Sequence, residues 1–294
     1  MWNLKPLPVG DYNVHLDIAF PVGEAPEKVS KADKNELLWY YAKYEERLGR
    51  PSTELKGEEV SPELRKSVRE AYALVQDGKR LGSLRSGLKL LAESCPYCGY
   101  GAIQELDHLL QRGEYELFSI FPLNLVPCCG TCNRGKRKIS SVKSNEHQVH
   151  VYLEDISGYD FLRVRVNVHP GTGGLELRYF IEQSAGMADD VYYRLVHHLK
   201  EFDLQARYKK QANIFLGGLE YAITSSYKGG GSEALKSFLT GTAGALKKRY
   251  GPNDWRTSLM RGLSECAAFY EGGFETALGL QPIRTDHPGG ESID

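Results

Sequence analysis

The sequence predicts an α+β protein in which a small cysteine-rich module interrupts a mostly helical chain. Apolar residues recur at helical spacing on both sides of this module, and two C-x-x-C pairs enclose it. Beyond it, residues 161–168 alternate apolar and polar side chains, which is the period of a strand with one buried face. We therefore expect an N-terminal helical region (1–90), the module itself (91–145) and a C-terminal α+β region (146–294).

Composition and charge exclude several classes of protein. Of the 294 residues, 41% are hydrophobic and 26% are charged, and no stretch approaches the roughly 18 consecutive apolar residues of a membrane helix. The first residues lack the apolar segment of a secretory signal, so we expect a cytoplasmic protein with no membrane partner. The net charge is −1, whereas the stretch from Lys79 to Lys143 holds ten basic and five acidic residues, a net charge of +5. Any contact with a polyanion is therefore expected to be local.

Four elements are predicted before the module. Residues 14–20 form a short strand candidate. Ser30 can cap a helix whose apolar residues keep a spacing near 3.6. Pro62 occupies the first position of the next helix, where a missing N–H group costs nothing. The third helix carries Leu81, Leu84, Leu88 and Leu91 on one face.

After the module, the pattern indicates a β-hairpin followed by helices. The alternating run at 161–168 and a second one at 175–179 flank a Gly-rich loop. Helical spacing is found at 189–202 and 204–226. The remaining predictions are a break at Gly229–Gly231, a helix capped by Ser232, a last helix capped by Asp254 with Cys266 on its buried stripe, and a frayed segment at 280–294.

The two C-x-x-C pairs predict a structural zinc site. Four thiolates are the number that a closed tetrahedral Zn²⁺ site takes, and paired knuckles favour zinc over disulfides in a reducing compartment. The alternative is two unrelated cysteine motifs, one of them redox-active. Cys128 adjoins the second pair, but the spacing favours its neighbour. The predicted ligands are Cys95, Cys98, Cys129 and Cys132.

The segment enclosed by the cysteines resembles the HNH endonuclease family, in the form that has a ββα-metal finger braced by a four-cysteine zinc. The resemblance covers about residues 95–138 and rests on Asp107-His108, Asn124 and the Cys132-Asn133 pair. It implies that His108 is the general base, Asn124 the middle Asn, and Asp107 and Asn133 the ligands of a catalytic cation. Many members have His where this chain has Asn133, and variants with Asn belong to the family.

Each of these roles has a physical reason. Histidine is the side chain whose ordinary pKa lies near neutrality, so His108 can take a proton from water. The amide of Asn124 can hold the loop that carries His108. The oxygens of Asp107 and Asn133 favour Mg²⁺ or Mn²⁺. Because neighbours in a strand point to opposite faces, joint action of Asp107 and His108 requires local twisting or a bulge.

Two groups of basic residues are candidates for contact with nucleic acid. Next to the expected active site, the first group can contact phosphates, although such a run is otherwise a solvated helix end. It consists of Arg134, Lys136, Arg137 and Lys138. The second group, on the polar face of the hairpin, can guide DNA or simply be hydrated. It consists of Arg163, Arg165 and Arg178.

The resemblance implies a metal-dependent endonuclease that cuts DNA and leaves 5′-phosphate and 3′-hydroxyl ends. One finger offers one base, so each active site is expected to nick one strand. The layout is similar to that of nucleases in bacterial antiphage systems such as Septu and Zorya, which suggests a protein partner from the same system. The alternative is an inactive zinc-ribbon adaptor for DNA or protein. A homing or intron nuclease would need DNA-recognition repeats that the sequence lacks.

Overall fold

A computed structural model describes residue 4 and residues 12–23, 29–136 and 143–280. The described residues form an α+β fold of helices and two small antiparallel sheets, as the sequence predicts. The chain divides into two compact units, Met1–Asp160 with Gln183–Leu204, and Phe161–Glu182 with Gln205–Asp294. Among the described residues, no helix has both the length and the apolar character that crossing a bilayer requires.

Two of the four N-terminal helices in the first unit begin where the sequence predicts. Ser30 and Asp33 form a reciprocal capping box, and Ser61 caps the helix that begins at Pro62. Side-chain oxygens thus satisfy backbone N–H groups that have no partner within the helix. The four helices are α1 (Asn13–Ala19), α2 (Lys31–Glu46), α3 (Pro62–Ala71) and α4 (Gly82–Lys89).

The predicted strand at residues 14–20 is wrong, because these residues form α1. Leu16 and Ala19 are buried three positions apart while Val14 is exposed, which is a helical burial pattern. The Lys34 ammonium of α2 lies 2.6 Å from the Asp17 carboxylate of α1. Tertiary packing against α2 therefore overrides the weak local preference for a strand.

Two short strands and a helix follow at the cysteine-rich module. β1 (Glu105–His108) pairs antiparallel with β2 (Leu125–Cys128), and α5 (Gly130–Gly135) comes directly afterwards. The aromatic rings of Tyr41 in α2 and Phe121 stack with their centroids 4.1 Å apart. This contact packs α2 against the segment that joins the two strands, so α2 helps to position that segment.

The first unit ends with α6 (Asp189–Glu201). Its fully buried Arg194 donates hydrogen bonds to both oxygens of the Glu154 carboxylate, each at 2.6 Å. The same guanidinium donates to the backbone oxygens of His147 and Gln148. Because a buried guanidinium is stable only when it is paired and hydrogen-bonded, these contacts attach the 147–154 segment to α6.

The second unit contains the predicted hairpin. β3 (Leu162–Val168) pairs antiparallel with β4 (Leu175–Ile181). Its helices are α7 (Leu204–Tyr250, which begins at the last residue of the first unit), α8 (Trp255–Glu265) and α9 (Phe274–Ala277).

The glycine-rich break lies inside α7. Gly230 and Gly231 leave helical geometry there, and Gly231 has a φ of +66°, a region that favours glycine. Cys266 follows the end of α8 and is only partly buried, so the predicted buried stripe stops before it. Of the segment predicted to fray, residues 281–294 lie outside the described residues.

Candidate metal centre and catalytic cleft

The four predicted zinc ligands lie together. The Sγ atoms of Cys95, Cys98, Cys129 and Cys132 are all within 4.8 Å of one another, and all four residues are buried. Tetrahedral zinc with Zn–S bonds of about 2.3 Å requires sulfur atoms about 3.8 Å apart, and the Cys98 and Cys129 sulfurs are 3.9 Å apart. The donor set and its spacing are therefore compatible with zinc. Cys128 is not part of the cluster, and burial raises the pKa of its thiol.

Glycines shape the first knuckle. Gly99 has a φ of +75°, and its N–H donates to the Cys95 carbonyl at 2.7 Å. A Cβ atom at Gly101 would lie 2.7 Å from the Cys129 sulfur, so a larger residue would displace that ligand. The sequence between the cysteines therefore permits the close approach of the two knuckles.

His108 ends β1 with its imidazole held in one tautomer. Its Nε2 atom lies 3.0 Å from the backbone oxygen of Ser119. Because a carbonyl oxygen only accepts hydrogen bonds, Nε2 carries the proton and Nδ1 carries the lone pair. Burial lowers the pKa of His108 to about 4, and the positive charges of Arg112 and Lys136 act in the same direction. The imidazole is therefore neutral at pH 7.

Asn124 fixes the loop that contains Ser119, whose backbone oxygen is the hydrogen-bond partner of His108. Its Nδ2 atom donates to the backbone oxygens of Leu110 and Phe118, each at 3.1 Å. Its Oδ1 atom accepts from the Leu110 N–H at 2.7 Å. These bonds hold both ends of the segment between His108 and Ser119.

Tyr44 and His150 are connected to Asn124 by hydrogen bonds, and no pattern in the sequence predicts this arrangement. His150 Nδ1 accepts from the backbone N–H groups of Tyr152 and Leu153, so its Nε2 carries the proton. Nε2 lies 3.1 Å from the Tyr44 hydroxyl, which lies 3.2 Å from Asn124 Oδ1. A buried chain of hydrogen bonds thus runs from His150 through Tyr44 to Asn124.

Neutral His150 makes the stability of the fold depend on pH. Burial lowers the pKa of His150 to about 3, with Glu154 raising it and Arg194 lowering it, whereas an unfolded chain has a histidine pKa of about 6.5. As the pH falls below 6.5, the unfolded chain binds a proton that the folded chain does not. Between pH 6.5 and 5, we expect this residue to cost the fold about 2 kcal/mol of unfolding free energy.

The measurement is urea denaturation of the wild type and of His150→Asn at pH 7 and pH 5. The variant is expected to be less stable at pH 7 but to lose less stability on acidification. His108, whose pKa is also lowered, contributes to both proteins, so the difference isolates His150. An identical loss on acidification in the two proteins would contradict the assignment of a neutral, buried imidazole.

Asp107 is held by two donors. The Tyr97 hydroxyl, from the first cysteine knuckle, donates to Asp107 Oδ2 at 2.8 Å, and the Lys136 ammonium lies 2.5 Å from the same oxygen. Lys136 also donates to the backbone oxygens of His108 and Leu109. The Lys136 side chain is only 3% exposed, so its ammonium group is held in the ion pair with Asp107 and does not face solvent.

A hydrogen bond connects Asn133 to the carboxylate of Glu105. Asn133 lies within α5, and its Nδ2 atom donates to Glu105 Oε2 at 2.5 Å. The exposed Arg134 forms an ion pair with the other oxygen of Glu105 at 3.3 Å. The bond to Glu105 uses the amide nitrogen of Asn133 and does not engage Oδ1, the atom through which an amide would bind a cation. Arg137 and Lys138 lie outside the described residues.

A polar, open cleft of about 310 Å³ brings several of these groups together. Asp107 and His108 both line it although they are neighbours in β1, and Asn133 forms part of the same wall. The ring of Tyr72 contacts the imidazole edge to face, with the centroids 4.4 Å apart. The complete lining is Tyr72, Leu106, Asp107, His108, Gln111, Arg112 and Asn133.

The comparisons with known proteins add little about activity. No protein-family model matches the chain. It is similar to Protein ea31 of Escherichia phage lambda, with 26% identity over 194 residues. This match covers 61% of the chain and 64% of the phage protein, so the chain spans less than two thirds of that relative. No solved structure matches. The name of the phage protein states no substrate or reaction, so any functional conclusion depends on the site.

Proposed function

We propose that the protein is a metal-dependent HNH endonuclease that hydrolyses phosphodiester bonds in DNA. The observation that carries this proposal is the state of His108, a neutral imidazole whose Nε2 proton is held by the Ser119 carbonyl and which lines a polar cleft. That arrangement leaves Nδ1 as the proton acceptor. The antiparallel β1 and β2 followed by α5, beside a four-cysteine cluster, support the proposal with the same order of elements as the expected finger.

In the proposed mechanism, His108 takes a proton from a water molecule through Nδ1. Asn124 acts as a positioning residue, because its hydrogen bonds hold the loop that presents the Ser119 carbonyl. The positive charge of Arg112 at the cleft can attract a phosphate group. The experiment that tests the activity is the conversion of supercoiled plasmid to relaxed circles by the intact chain with Mg²⁺, and its arrest by removal of Mg²⁺.

Asp107 and Asn133 are the residues that would hold Mg²⁺ or Mn²⁺. Their carboxylate and amide oxygens suit a hard cation, provided that the Lys136 ammonium gives up the Asp107 carboxylate. When bound, such a cation stabilises negative charge on the scissile phosphate and on the leaving oxygen. We propose zinc for the cysteine cluster, where it would hold the knuckle that carries Tyr97, the hydroxyl partner of Asp107.

The second candidate function is a zinc-ribbon adaptor without catalysis. The observation that favours it is the buried ion pair between Lys136 and Asp107, since an ammonium group already compensates the carboxylate that would bind the cation. The nuclease would bind DNA, and the adaptor would bind DNA or protein. A protein partner that raises the local concentration of DNA would suit a chain whose net charge of −1 predicts weak binding to free DNA.

Lys136→Met discriminates between these two functions. Removal of one member of a buried ion pair leaves an uncompensated charge, so we expect a loss of about 3–5 kcal/mol of unfolding free energy without a divalent cation. If Asp107 is a ligand, Mg²⁺ should recover part of that stability because the cation replaces the ammonium. The measurement is thermal and urea unfolding with and without Mg²⁺.

The control is Lys79→Met, an exposed lysine of the same unit, which should respond to Mg²⁺ as the wild type does. A Lys136→Met protein that Mg²⁺ stabilises no more than this control would favour the adaptor.

A further inference from the structure

The β3–β4 hairpin has one packed and one open face. Val164 and Val166 are buried on the packed face, against α8. A Cβ atom at Gly262 of α8 would lie 2.6 Å from a Val164 methyl group, so the helix approaches the sheet closely there. The side chains that alternate with the buried residues, among them Arg165 and Arg178, face the other way and are exposed.

The polar groups at the two ends of the open face are partnered within the hairpin. At one end, Arg163 forms an ion pair with Glu182 at 2.9 Å. At the other end, Asn167 donates to Glu176 at 3.4 Å. The first end is therefore a compensated ion pair, whereas the second keeps the negative charge of Glu176 beside a neutral amide. The positive charge of the open face comes from the arginines between these ends.

Two arginines face each other at the centre. Arg165 and Arg178 are directly opposite in the register of β3 and β4. Within the described part of the chain, neither forms an ion pair with a carboxylate. Like charges directly opposite on a sheet are destabilising, and an anion between the two guanidinium groups would remove that repulsion. Arginine is also the side chain whose planar donors fit the oxygens of a phosphate.

An aromatic ring adjoins the arginine pair. The guanidinium of Arg165 lies 5.9 Å from the ring centroid of Phe180, which is half-buried on the same face. Proteins that bind single-stranded nucleic acid combine cationic groups for phosphates with aromatic rings on which bases stack. The sequence of this unit holds 14 basic and 11 acidic side chains, a net charge of +3, which adds a favourable long-range field.

We propose that the open face of the hairpin binds single-stranded nucleic acid, with phosphates on Arg165 and Arg178 and a base against Phe180. This surface lies in a different unit from the cysteine cluster and the cleft. The proposal therefore does not rest on nuclease activity. It names a binding surface that the enzyme and the adaptor could each use.

The experiment measures binding of the intact chain to a fluorescein-labelled 20-nucleotide single strand by anisotropy, in Mg²⁺-free buffer at several salt concentrations. Arg165→Glu with Arg178→Glu is expected to weaken binding at least tenfold. Arg165→Ala with Arg178→Ala should lower the slope of log K against log salt by about 1.4, because each phosphate contact on a single strand contributes about 0.7. Phe180→Ala should weaken binding about fivefold or more without changing that slope, and Phe180→Trp should preserve binding.

The matched control is Lys209→Glu with Lys210→Glu, which makes the same change of charge on exposed positions of α7. It should weaken binding less than twofold, and all variants should remain folded, with a single cooperative thermal transition. Equal losses in the control and in the arginine variant would overturn the proposal, as would a wild-type chain that does not bind the strand. Unchanged affinity in Phe180→Ala together with tighter binding of a duplex, or equal competition by an acidic peptide, would also overturn it.

Discussion

Replacing any one of the four clustered cysteines is expected to release zinc and unfold the module. The intact chain should contain one tightly held zinc, because four buried sulfurs lie within 4.8 Å of one another. Zinc binding in small finger peptides is worth on the order of 10–16 kcal/mol, and in such sites this binding energy stabilises the fold. In Cys98→Ala or Cys132→Ala we therefore expect zinc content near zero and a cooperative transition at a much lower temperature.

Cys128→Ala is the matched control for the cysteine variants. Its thiol is buried next to the cluster but is not part of it, so zinc content should stay at one per chain. The measurements are elemental analysis of the purified protein and thermal unfolding with and without a chelator. A fully folded preparation without zinc would refute the metal assignment, and equal zinc loss in Cys128→Ala would refute the choice of ligands.

His108→Ala is expected to reduce Mg²⁺-dependent plasmid nicking by a factor of about 10²–10⁴, the usual contribution of a general base. Zinc content should not change, because the imidazole contacts the Ser119 carbonyl and the Tyr72 ring but no cysteine. Binding to nucleic acid should also remain close to wild type, since the base acts on water. Initial rates of plasmid relaxation at saturating Mg²⁺ are the measurement.

His169→Ala is the control, since it makes the same chemical change in the exposed hairpin loop. It should cleave at the wild-type rate. Undiminished cleavage by a folded, zinc-containing His108→Ala protein would show that another group accepts the proton. Asp107→Ala should instead raise the Mg²⁺ concentration needed for half-maximal activity. Absence of Mg²⁺-dependent cleavage by the wild type would leave the adaptor as the function of the chain.

The features that could be predicted from the sequence depend on signals within a few residues. The cap at Ser30 defines a helix start because its side chain accepts from an N–H group three residues later. The proline at position 62 defines another because its missing N–H group would have no partner in the first turn. Alternation at residues 162–168 predicts a strand because successive side chains point to opposite faces. The C-x-x-C spacing selects Cys129 over Cys128 because a tight knuckle brings two sulfurs to one metal.

The features that the sequence did not predict depend on residues far apart in the chain. Residues 14–20 carry apolar side chains that suit a strand. In the fold, Leu16 and Ala19 are buried together on one face, which requires helical spacing. Nothing near position 44 or 150 indicates that Tyr44 and His150 touch, since 106 residues separate them. Their contact exists because α2 packs its aromatic face against the segment between β1 and β2.

The sequence by itself determined which residue types are available at the candidate site, namely the four cysteines, Asp107, His108, Asn124 and Asn133. Only the tertiary structure decided the tautomer of His108 and the hydrogen-bond and ion-pair partners of the other side chains. Burial and the Ser119 carbonyl make His108 a neutral Nε2–H tautomer. The fold also buries Lys136 against Asp107 and turns Asn133 towards Glu105. The physical reason is that hydrogen bonds and ion pairs depend on distance in space, which sequence spacing determines only within a turn or a knuckle.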